Sequence, residues 1–200
     1  MWLQINSNIK DMYQQQLPII LASKSPRRQE LLTAMNLNFK VVLKDVDESY
    51  PDTLLPAEIA VYIAEKKAAA FVDDARDTIV ITADTIVAYN GEILGKPEDE
   101  LHAVEMLTKL SGTNHQVFTG VSLSLNGHTR SFYDVTEVFF NVLSPEQIDY
   151  YIKYHQPFDK AGSYGIQDWL GYVAVEKIIG SYTNVMGLPT EKLYKALSGF

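Results

Sequence analysis

The sequence predicts an α/β fold with a mixed, twisted sheet and flanking helices. A strand, a short loop and a helix follow one another in residues 18–35. Residues 79–87 are almost continuously apolar and β-branched, which is typical of a strand covered on both faces. The Asn-Gly pairs at 90–91 and 126–127 predict tight hairpins, so part of the sheet is antiparallel.

Local start and stop signals place the remaining elements. Ser25 and Pro26 fit the N-cap and first position of a helix, and Ser144 with Gln147 forms a capping box. Residues 158–171 contain several glycines without helical or strand periodicity, which predicts a loop shaped for close approach to another group. Predicted strands are residues 18–22, 39–43, 79–87, 92–94, 115–125, 131–143 and 172–178, and predicted helices are residues 26–35, 57–74, 98–110, 145–154 and 190–197.

Length and composition bound the domain organisation. With 200 residues, of which 46% are hydrophobic, the chain can form one large domain or two lobes that share a core. Residues 1–16 are predicted to be a polar leader, and residues 17–200 the domain. The apolar runs are shorter than the ~18 residues of a membrane span, and the leader does not resemble a signal peptide. We therefore expect a cytoplasmic protein without a membrane partner.

Composition also excludes several classes of function. The chain contains no cysteine, which excludes disulfides, zinc-thiolate sites and thiol nucleophiles. The net charge of -8 argues against a nucleic-acid polymer or an anionic membrane as partner, because both need a large basic surface. A small anion remains compatible if basic residues are concentrated locally. The four histidines lack metal-ligand spacing and are interpreted as ordinary: His102, His115, His128 and His155.

One carboxylate, Asp84, lies in the middle of the apolar strand at residues 79–87. A buried, ionised carboxylate is unfavourable unless it is paired or binds a metal, so Asp84 needs a partner. The hairpin at residues 90–91 returns the chain toward the same end, which makes Lys96 a candidate neighbour. Asp84 is therefore either half of a structural ion pair or part of a catalytic site.

Two arginines, Arg27 and Arg28, fall in the first turn of the first predicted helix. A helix N-terminus carries about half a positive charge, so cations there are unfavourable unless an anion is bound. The hydroxyls of Ser23 and Ser25, free backbone amides and the two guanidiniums together would form an oxyanion site suited to phosphate. The alternative is a solvated basic turn.

An acidic loop follows the second predicted strand and contains Asp45, Asp47 and Glu48. Asp47 or Glu48 would supply a second carboxylate to a cation held by Asp84, since Mg²⁺ is often bound by one or two carboxylates together with substrate phosphates. Otherwise the loop is simply solvated.

The helix predicted at residues 57–74 has an apolar face that includes Ile59, Ile63 and Ala70. Lys66 lies on the same face, seven residues after Ile59. Its ammonium either extends outward along the methylene chain to solvent or points inward at an anion.

The side chain of Gln167 lies in the glycine-containing segment 158–171. Its amide offers a hydrogen-bond donor next to an acceptor, which complements the O4 acceptor and N3–H donor of uracil or thymine. Guanine presents a similar pair, so Gln167 alone does not select the base. The alternative is a loop glutamine bonded to backbone.

Six short motifs occur in sequence along the chain. They are Ser-Lys-Ser-Pro-Arg-Arg at 23–28, Ala-Asp-Thr at 83–85, Gly-Lys-Pro at 95–97, Asp-Lys-Ala-Gly at 159–162, Tyr-Gly-Ile-Gln at 164–167 and Val-Met-Gly-Leu-Pro at 185–189. Together they resemble the Maf family of nucleoside triphosphate pyrophosphatases over residues 17–197. The resemblance implies a fold of two lobes around a central cleft, related to the inosine triphosphate pyrophosphatases.

The resemblance also implies roles for individual residues. The family is one of hydrolases acting on acid anhydrides, which cleave a nucleoside triphosphate to monophosphate and pyrophosphate, and Asp84 matches its catalytic base. Other residues of this chain match the specificity positions and the other polar cleft positions of the family. Together with the oxyanion site described above, they form the predicted substrate-binding set: Ser23, Arg27, Arg28, Glu48, Lys66, Thr85, Lys96 and Gln167. The form Tyr-Gly-Ile-Gln resembles the branch acting on dTTP and UTP. One departure is that Asp168 and Trp169 follow it where the family often has glycine.

These residues suggest a mechanism as a hypothesis. Asp84 and Glu48 hold a divalent metal cation, Mg²⁺ or Mn²⁺, that binds the triphosphate, while Asp84 takes a proton from the water attacking the α-phosphorus. Arg27, Lys66 and Lys96 offset charge on the phosphate oxygens. A house-cleaning role on normal or modified pyrimidine nucleotides is expected.

A different class of function uses the same cleft. A nucleotide-binding regulator of cell division would bind the nucleotide without useful turnover. A pure binder does not need a buried carboxylate beside an anionic ligand, which favours the enzyme. The sequence also leaves open a homodimer through exposed aromatic residues, among them Tyr150, Tyr151 and Tyr154.

Overall fold

The computed structural model describes residues 17–199, and the predicted leader at residues 1–16 lies outside them. A mixed sheet forms the centre of the fold. Its strands are β1 Ile19–Leu21, β2 Phe39–Val41, β3 Ile79–Tyr89, β4 Glu92–Leu94, β5 Asn114–Leu125, β6 His128–Phe140 and β7 Val175–Ile179. The order across the sheet is β2-β1-β3-β5-β6-β7, and β4 pairs with β3.

Both parallel and antiparallel pairs occur in this sheet. β1 runs parallel to β2 and to β3, whereas the pairs of β3 with β4 and β5, of β5 with β6 and of β6 with β7 are antiparallel. The two predicted hairpins join β3 to β4 and β5 to β6. Asn90, Gly91, Asn126 and Gly127 all have positive φ, as such tight turns require.

Helices cover both faces of the sheet. They are α1 Pro26–Ala34, α2 Pro56–Ala69, α3 Glu100–Leu110, α4 Pro145–His155, α5 Trp169–Val173, α6 Tyr182–Val185 and α7 Thr190–Leu197. The predicted N-caps are confirmed: the Ser25 hydroxyl accepts from a backbone N–H of α1, and Ser144 and Gln147 form the capping box of α4. None of the helices between residues 17 and 199 has the length and apolar character of a membrane span.

Two lobes lie over one face of the sheet, at opposite ends of the long strands. In one lobe, α1 and α7 pack on Ile81 and Leu123, and in the other, α3 and α4 pack on Val87 and Val117. Ile81 and Val87 point to the same face of β3, because alternate residues of a strand share a face. The region between the lobes is therefore centred on Thr85, midway along the strand.

The opposite face is covered by α2, which crosses β5 at Gly120. A Cβ at this glycine would lie 2.3 Å from the carbonyl carbon of Ala60, so only glycine permits the contact. Gly120 is the register partner of Asp84, and directly opposed residues point to the same face. Asp84 therefore points toward α2, away from the two lobes.

The predicted fold class is confirmed, including the mixed sheet and the two lobes around a cleft. Several boundaries differ from prediction. α2 ends at Ala69 rather than at residue 74, and α5 replaces the start of the strand predicted at 172–178. Gly171 in this short helix packs against the Ile166 carbonyl, where a Cβ would lie only 1.8 Å away, so only glycine fits at this position. The sequence shows the glycine but not this contact.

The prediction that Tyr151 belongs to an exposed aromatic face is wrong. Tyr151 on α4 is fully buried against the segment before α5, whereas Tyr150 and Tyr154 on the same helix are exposed. The helical phase explains the difference, because Tyr151 falls on the buried face with Ile148 and Ile152. A homodimer stays a prediction, and Tyr151 is not available to its interface.

His115 on β5 is buried in an aromatic cluster. Its Nε2 lies 2.7 Å from the Tyr164 hydroxyl, and its ring packs edge-on against Phe140 and Tyr164. Burial lowers the pKa of His115 to about 4, because the imidazolium form loses its hydration. His115 is therefore a neutral core residue at pH 7.

We expect His115 to make folding stability fall between pH 7 and pH 5. In this window the unfolded histidine, with its ordinary pKa of 6.5, takes up a proton that the folded state does not. The unfolded state then binds more protons, which lowers the free energy of unfolding by about 2 kcal/mol at pH 5. Urea denaturation at both pH values measures the loss, which should disappear in His115→Gln but persist in His128→Gln, an exposed control. Equal losses in wild type and His115→Gln would contradict the assignment.

Candidate active site

The site is built around a gap on one edge of β3. β5 pairs along the opposite edge of β3. On the edge with the gap, β1 pairs with the start of β3 and β4 pairs with its end. No described strand pairs there with residues 82–86. Within this central part of β3, only Asp84 and Thr85 are partly exposed, and their side chains point to opposite faces at the open edge.

The carboxylates of Asp84 and Glu48 converge on one ammonium group. Lys67 Nζ lies 2.8 Å from Asp84 Oδ1 and 2.9 Å from Glu48 Oε1. The side chains of Asp84 and Lys67 are only 13% and 15% exposed, so their attraction is weakly screened by solvent. Asp84 therefore has the partner that its burial requires, but the partner is Lys67, not the predicted Lys96.

Electrostatics keeps Glu48 ionised. Burial acts to raise the pKa of Glu48, but the hydrogen bond and charge of Lys67, with the charges of Lys96 and Arg28, lower that pKa below its ordinary value. Lys96 itself is exposed and makes no ion pair with any residue in the range 17–199. Glu48 thus faces the cleft as a carboxylate.

The structure places Lys66 outside the cleft. Its Nζ lies 3.1 Å from Asp47 Oδ2 and 2.9 Å from the carbonyl oxygen of Ser49. Hydrogen bonds from Ser49, together with the one from Lys66, lower the pKa of Asp47 to about 2. The inward-pointing lysine is Lys67, one position later.

Helix phase explains this difference of one residue. The face of α2 that meets the sheet contains Ala60, at Gly120, and Ala64, whose carbonyl accepts from the Thr82 hydroxyl at 2.7 Å. Lys67 follows three residues after Ala64 on the same face. Assigning the buried face of α2 from Ala60 and Ala64 would have predicted that Lys67 lies on it, but alanines give a weak apolar signal.

Arg28 connects three parts of the site. Its Nε donates to the Gly187 carbonyl at 2.8 Å, Nη1 to Ser23 Oγ at 3.1 Å and Nη2 to Thr85 Oγ1 at 3.0 Å. Burial lowers the pKa of Arg28, opposed by the charge of Asp84, although a guanidinium stays protonated. All three guanidinium nitrogens of Arg28 are therefore bonded to protein, which uses three of its five N–H donors, and its role in the predicted oxyanion site stays a prediction.

Arg27 reaches across the cleft to the other lobe. Its Nη1 lies 3.0 Å from Asp159 Oδ2, and Lys160 Nζ lies 2.7 Å from the other oxygen of that carboxylate. Burial acts to raise the pKa of Asp159, but its bonds to Lys160 and Arg27 lower it. The residues Lys67, Asp159 and Lys160 were not assigned roles from the sequence.

One cavity of about 400 Å³ joins these groups. It is lined by every predicted site residue except Lys66: Ser23, Arg27, Arg28, Glu48, Asp84, Thr85, Lys96 and Gln167. Seven basic and four acidic side chains line it, although the whole chain carries a net charge of -8. Positive charge is thus concentrated where a small anion would bind.

Gln167 lies at the end of the cavity away from β1. Its Oε1 is buried and has no hydrogen-bond partner within the described residues. Buried amide oxygens are rarely left unbonded. No hydrogen bond from the described backbone to this oxygen is seen, and a rotation of the side chain that lines the cavity would bring the amide to a ligand.

The fold and the cleft define a class of mixed α/β proteins that are suited to bind a phosphorylated small molecule between two lobes. Within that class the chain belongs to the Maf family, since the family described as Maf-like protein matches residues 18–200.

Curated relatives agree with this assignment, and a solved structure shares the fold. A relative from Phocaeicola vulgatus, named dTTP/UTP pyrophosphatase, is 55% identical over 181 residues, which cover 90% of this chain and 94% of the relative. A relative of the same name from Bacteroides thetaiotaomicron is 51% identical over 189 residues, covering 94% and 96%. A HAM1 protein from Coxiella burnetii shares the fold alone, with a TM-score of 0.50 and 14% identity over 92% of this chain and 100% of that chain.

Proposed function

We propose that this protein hydrolyses dTTP and UTP between the α- and β-phosphates and releases the nucleoside monophosphate and pyrophosphate. The observation that carries the proposal is the convergence of Asp84 and Glu48 on Lys67 inside a basic cleft. The names of the close relatives support the choice of substrates. These substrates are cytoplasmic metabolites, so a house-cleaning role in the cytoplasm is part of the proposal.

The donor set fits a divalent cation that is shared with the substrate. Residues 17–199 contain no group of three or more His, Cys, Asp or Glu that could hold a metal alone. Asp84 and Glu48 provide two carboxylates that already meet at one cationic group, and Mg²⁺ or Mn²⁺ commonly combines such a pair with substrate phosphates. When bound, the cation would polarise the phosphate oxygens and neutralise charge on them.

Asp84 is the residue proposed to act as general base. Its Oδ1 is bonded to Lys67, while Oδ2 makes no hydrogen bond within the described chain and can accept a proton. Water oxygen forms a bond to the α-phosphorus, the bond to the bridging oxygen breaks, and the water proton passes to Asp84. Pyrophosphate leaves with the electrons of the broken bond.

The cations of the cleft would stabilise the charge on the triphosphate. Lys96 has no competing ion pair within the described residues, and Lys67 and Arg27 can exchange their carboxylate partners for phosphate oxygens. Arg28 instead holds Ser23, Thr85 and Gly187 in place. Direct contact of Arg28 with substrate through its remaining N–H donors stays a prediction, as does contact of Lys66, whose position outside the cavity does not favour it.

Gln167 is proposed to recognise the base. Its unbonded Oε1 would accept from N3–H of uracil or thymine, while its amide N–H would donate to O4. Cytosine presents the opposite pattern at these positions, so it would be accepted only if the Gln167 amide turned by about 180°. The non-catalytic regulator is not favoured, because binding a nucleotide alone does not require the Asp84 and Glu48 carboxylates beside its phosphates.

Product analysis tests the proposed reaction. The purified protein is incubated with dTTP, UTP, CTP and GTP in Mg²⁺ or Mn²⁺, and pyrophosphate and orthophosphate are measured separately. We expect pyrophosphate from dTTP and UTP, only in the presence of the metal. Orthophosphate alone would indicate cleavage at the γ-phosphate, and tight binding without either product would indicate the regulator.

Replacing Lys67 by methionine should lower kcat/KM for dTTP and UTP by about 100-fold, because a positioned cation is lost from the phosphate site. Lys66→Met is the matched control, since the neighbouring lysine lies on the same helix but outside the cavity. We expect less than about a threefold effect there. A larger loss of kcat/KM in Lys66→Met than in Lys67→Met would indicate that Lys66 is the substrate-binding residue.

A further inference from the structure

We propose that Tyr151 and Asp168 are positioning residues that hold Gln167 in the orientation required for base selection. The inference rests on the proposed function, because it takes Gln167 as the residue that recognises the base. Tyr151 does not line the cavity. It would act only through the turn that carries Gln167.

Hydrogen bonds close this turn from both ends. The Asp168 N–H donates to the Gly165 carbonyl at 3.1 Å, which makes residues 165–168 a β-turn with Gln167 inside it. The Tyr151 hydroxyl accepts from the Gly165 N–H at 3.0 Å and donates to Asp168 Oδ2 at 2.9 Å. One hydroxyl of α4 therefore binds the first and the last residue of the turn.

The environment makes these bonds strong. Tyr151 is fully buried, and the Asp168 side chain is 19% exposed with Lys160 Nζ at 3.6 Å from the same carboxylate oxygen. Burial and the negative charge of Asp168 raise the pKa of Tyr151, so its hydroxyl stays protonated and continues to donate. Hydrogen bonds to an ionised acceptor in a poorly solvated site are the stronger kind.

Packing also fixes the position of the turn. A Cβ on Gly165 would lie 2.6 Å from Asp168 Oδ2, so the carboxylate closes directly over the turn. On the other side, Gly171 of α5 contacts the Ile166 carbonyl, where a Cβ would lie 1.8 Å away. The turn is thus closed by the carboxylate of its own last residue, Asp168, and covered by α5.

Gln167 depends on this backbone for its position in the cavity. Its Oε1 makes no hydrogen bond within residues 17–199, so no bond to that oxygen aims the amide before the substrate binds. Preorganisation of such a group increases both affinity and discrimination. Loosening the turn should therefore weaken base selection more than the chemical step, because Asp84 and Lys67 belong to other elements.

The test compares UTP with CTP in two variants of the full-length protein. Tyr151→Phe removes the hydroxyl, and we expect the ratio of kcat/KM for UTP over CTP to fall about tenfold, through a higher KM for UTP with kcat within about twofold. Asp168→Asn retains an acceptor for Tyr151, so the UTP-over-CTP ratio should fall less in this variant. Tyr154→Phe on the same helix is the control, because Tyr154 is exposed and makes no contact with the turn.

Amide hydrogen exchange over residues 160–171 provides a readout independent of activity. Faster exchange in Tyr151→Phe than in Tyr154→Phe supports the inference. A wild-type UTP-to-CTP ratio and wild-type exchange in Tyr151→Phe would overturn it. If Tyr151→Phe does not fold, Asp168→Asn decides by the same two criteria. A wild-type protein that releases no pyrophosphate from UTP contradicts the proposed function instead, and exchange still decides whether the turn is held.

Discussion

Replacing Asp84 by asparagine is expected to lower turnover of dTTP and UTP by about 1000-fold or more while the protein stays folded. Asparagine has nearly the same shape, but it cannot take the proton from water and contributes no charge to a metal. Lys67 keeps its second partner, Glu48, at 2.9 Å, so the ammonium is not left unpaired. Steady-state pyrophosphate release measures the loss, and thermal unfolding checks the fold.

A matched control separates the chemistry of Asp84 from the loss of a partly buried ion pair. Asp134 on β6 pairs with Lys192 at 2.7 Å and is 17% exposed, compared with 13% for Asp84, but it does not line the cavity. Asp134→Asn should cost less stability, because Lys192 is 45% exposed and Lys67 only 15%, and it should leave turnover close to wild type. If Asp84→Asn retained most of its activity, the base would have to be another residue.

Replacing Gly120 by alanine should destabilise the protein by about 3 kcal/mol. The new Cβ would lie 2.3 Å from the carbonyl carbon and oxygen of Ala60 and 2.5 Å from the Val61 nitrogen. These are backbone atoms, which cannot turn aside as a flexible side chain can. The helix α2 must move, and because it carries Lys67, the pairing with Asp84 should be disturbed as well.

Urea denaturation of Gly120→Ala measures the loss of stability. Gly95→Ala is the control, since a Cβ there would meet no atom within 4 Å and its φ is ordinary. We expect Gly95→Ala to stay within about 0.5 kcal/mol of wild type. Equal stability of the two variants would show that the backbone of α2 at Ala60 does not pack directly against Gly120 of β5.

Features that depend on neighbouring residues along the chain could be predicted from the sequence. The Asn-Gly pairs that form both hairpins, the Ser25 cap and the capping box at Ser144 each act within a few residues. The apolar run around Asp84 was also sufficient to predict that the carboxylate lies in a strand and has a partner. Its partner could not be predicted, because it comes from an element 17 residues earlier in the chain.

One residue of helical phase decided two outcomes: the direction of Lys66, which the sequence left open, and the exposure of Tyr151, which was predicted wrongly. Lys66 and Lys67 are adjacent, but a rotation of about 100° separates their directions on a helix. The contact of Ala60 with Gly120 sets that rotation, and it directs Lys67 to Asp84. The same holds for Tyr151, which is buried although the preceding residue, Tyr150, is exposed.

The sequence by itself determined the α/β class, the strand that carries Asp84 and most residues of the cleft, because strand patterns, turns and caps are local. Only the tertiary structure decided that Lys67 pairs with Asp84, that Arg28 is bonded to protein on all three nitrogens, and that Gln167 has an Oε1 without a partner among the described residues. The physical reason is that each of these depends on distances between elements far apart in the chain. Such distances are set by packing, here by the contact between α2 and β5 and by the gap between β1 and β4.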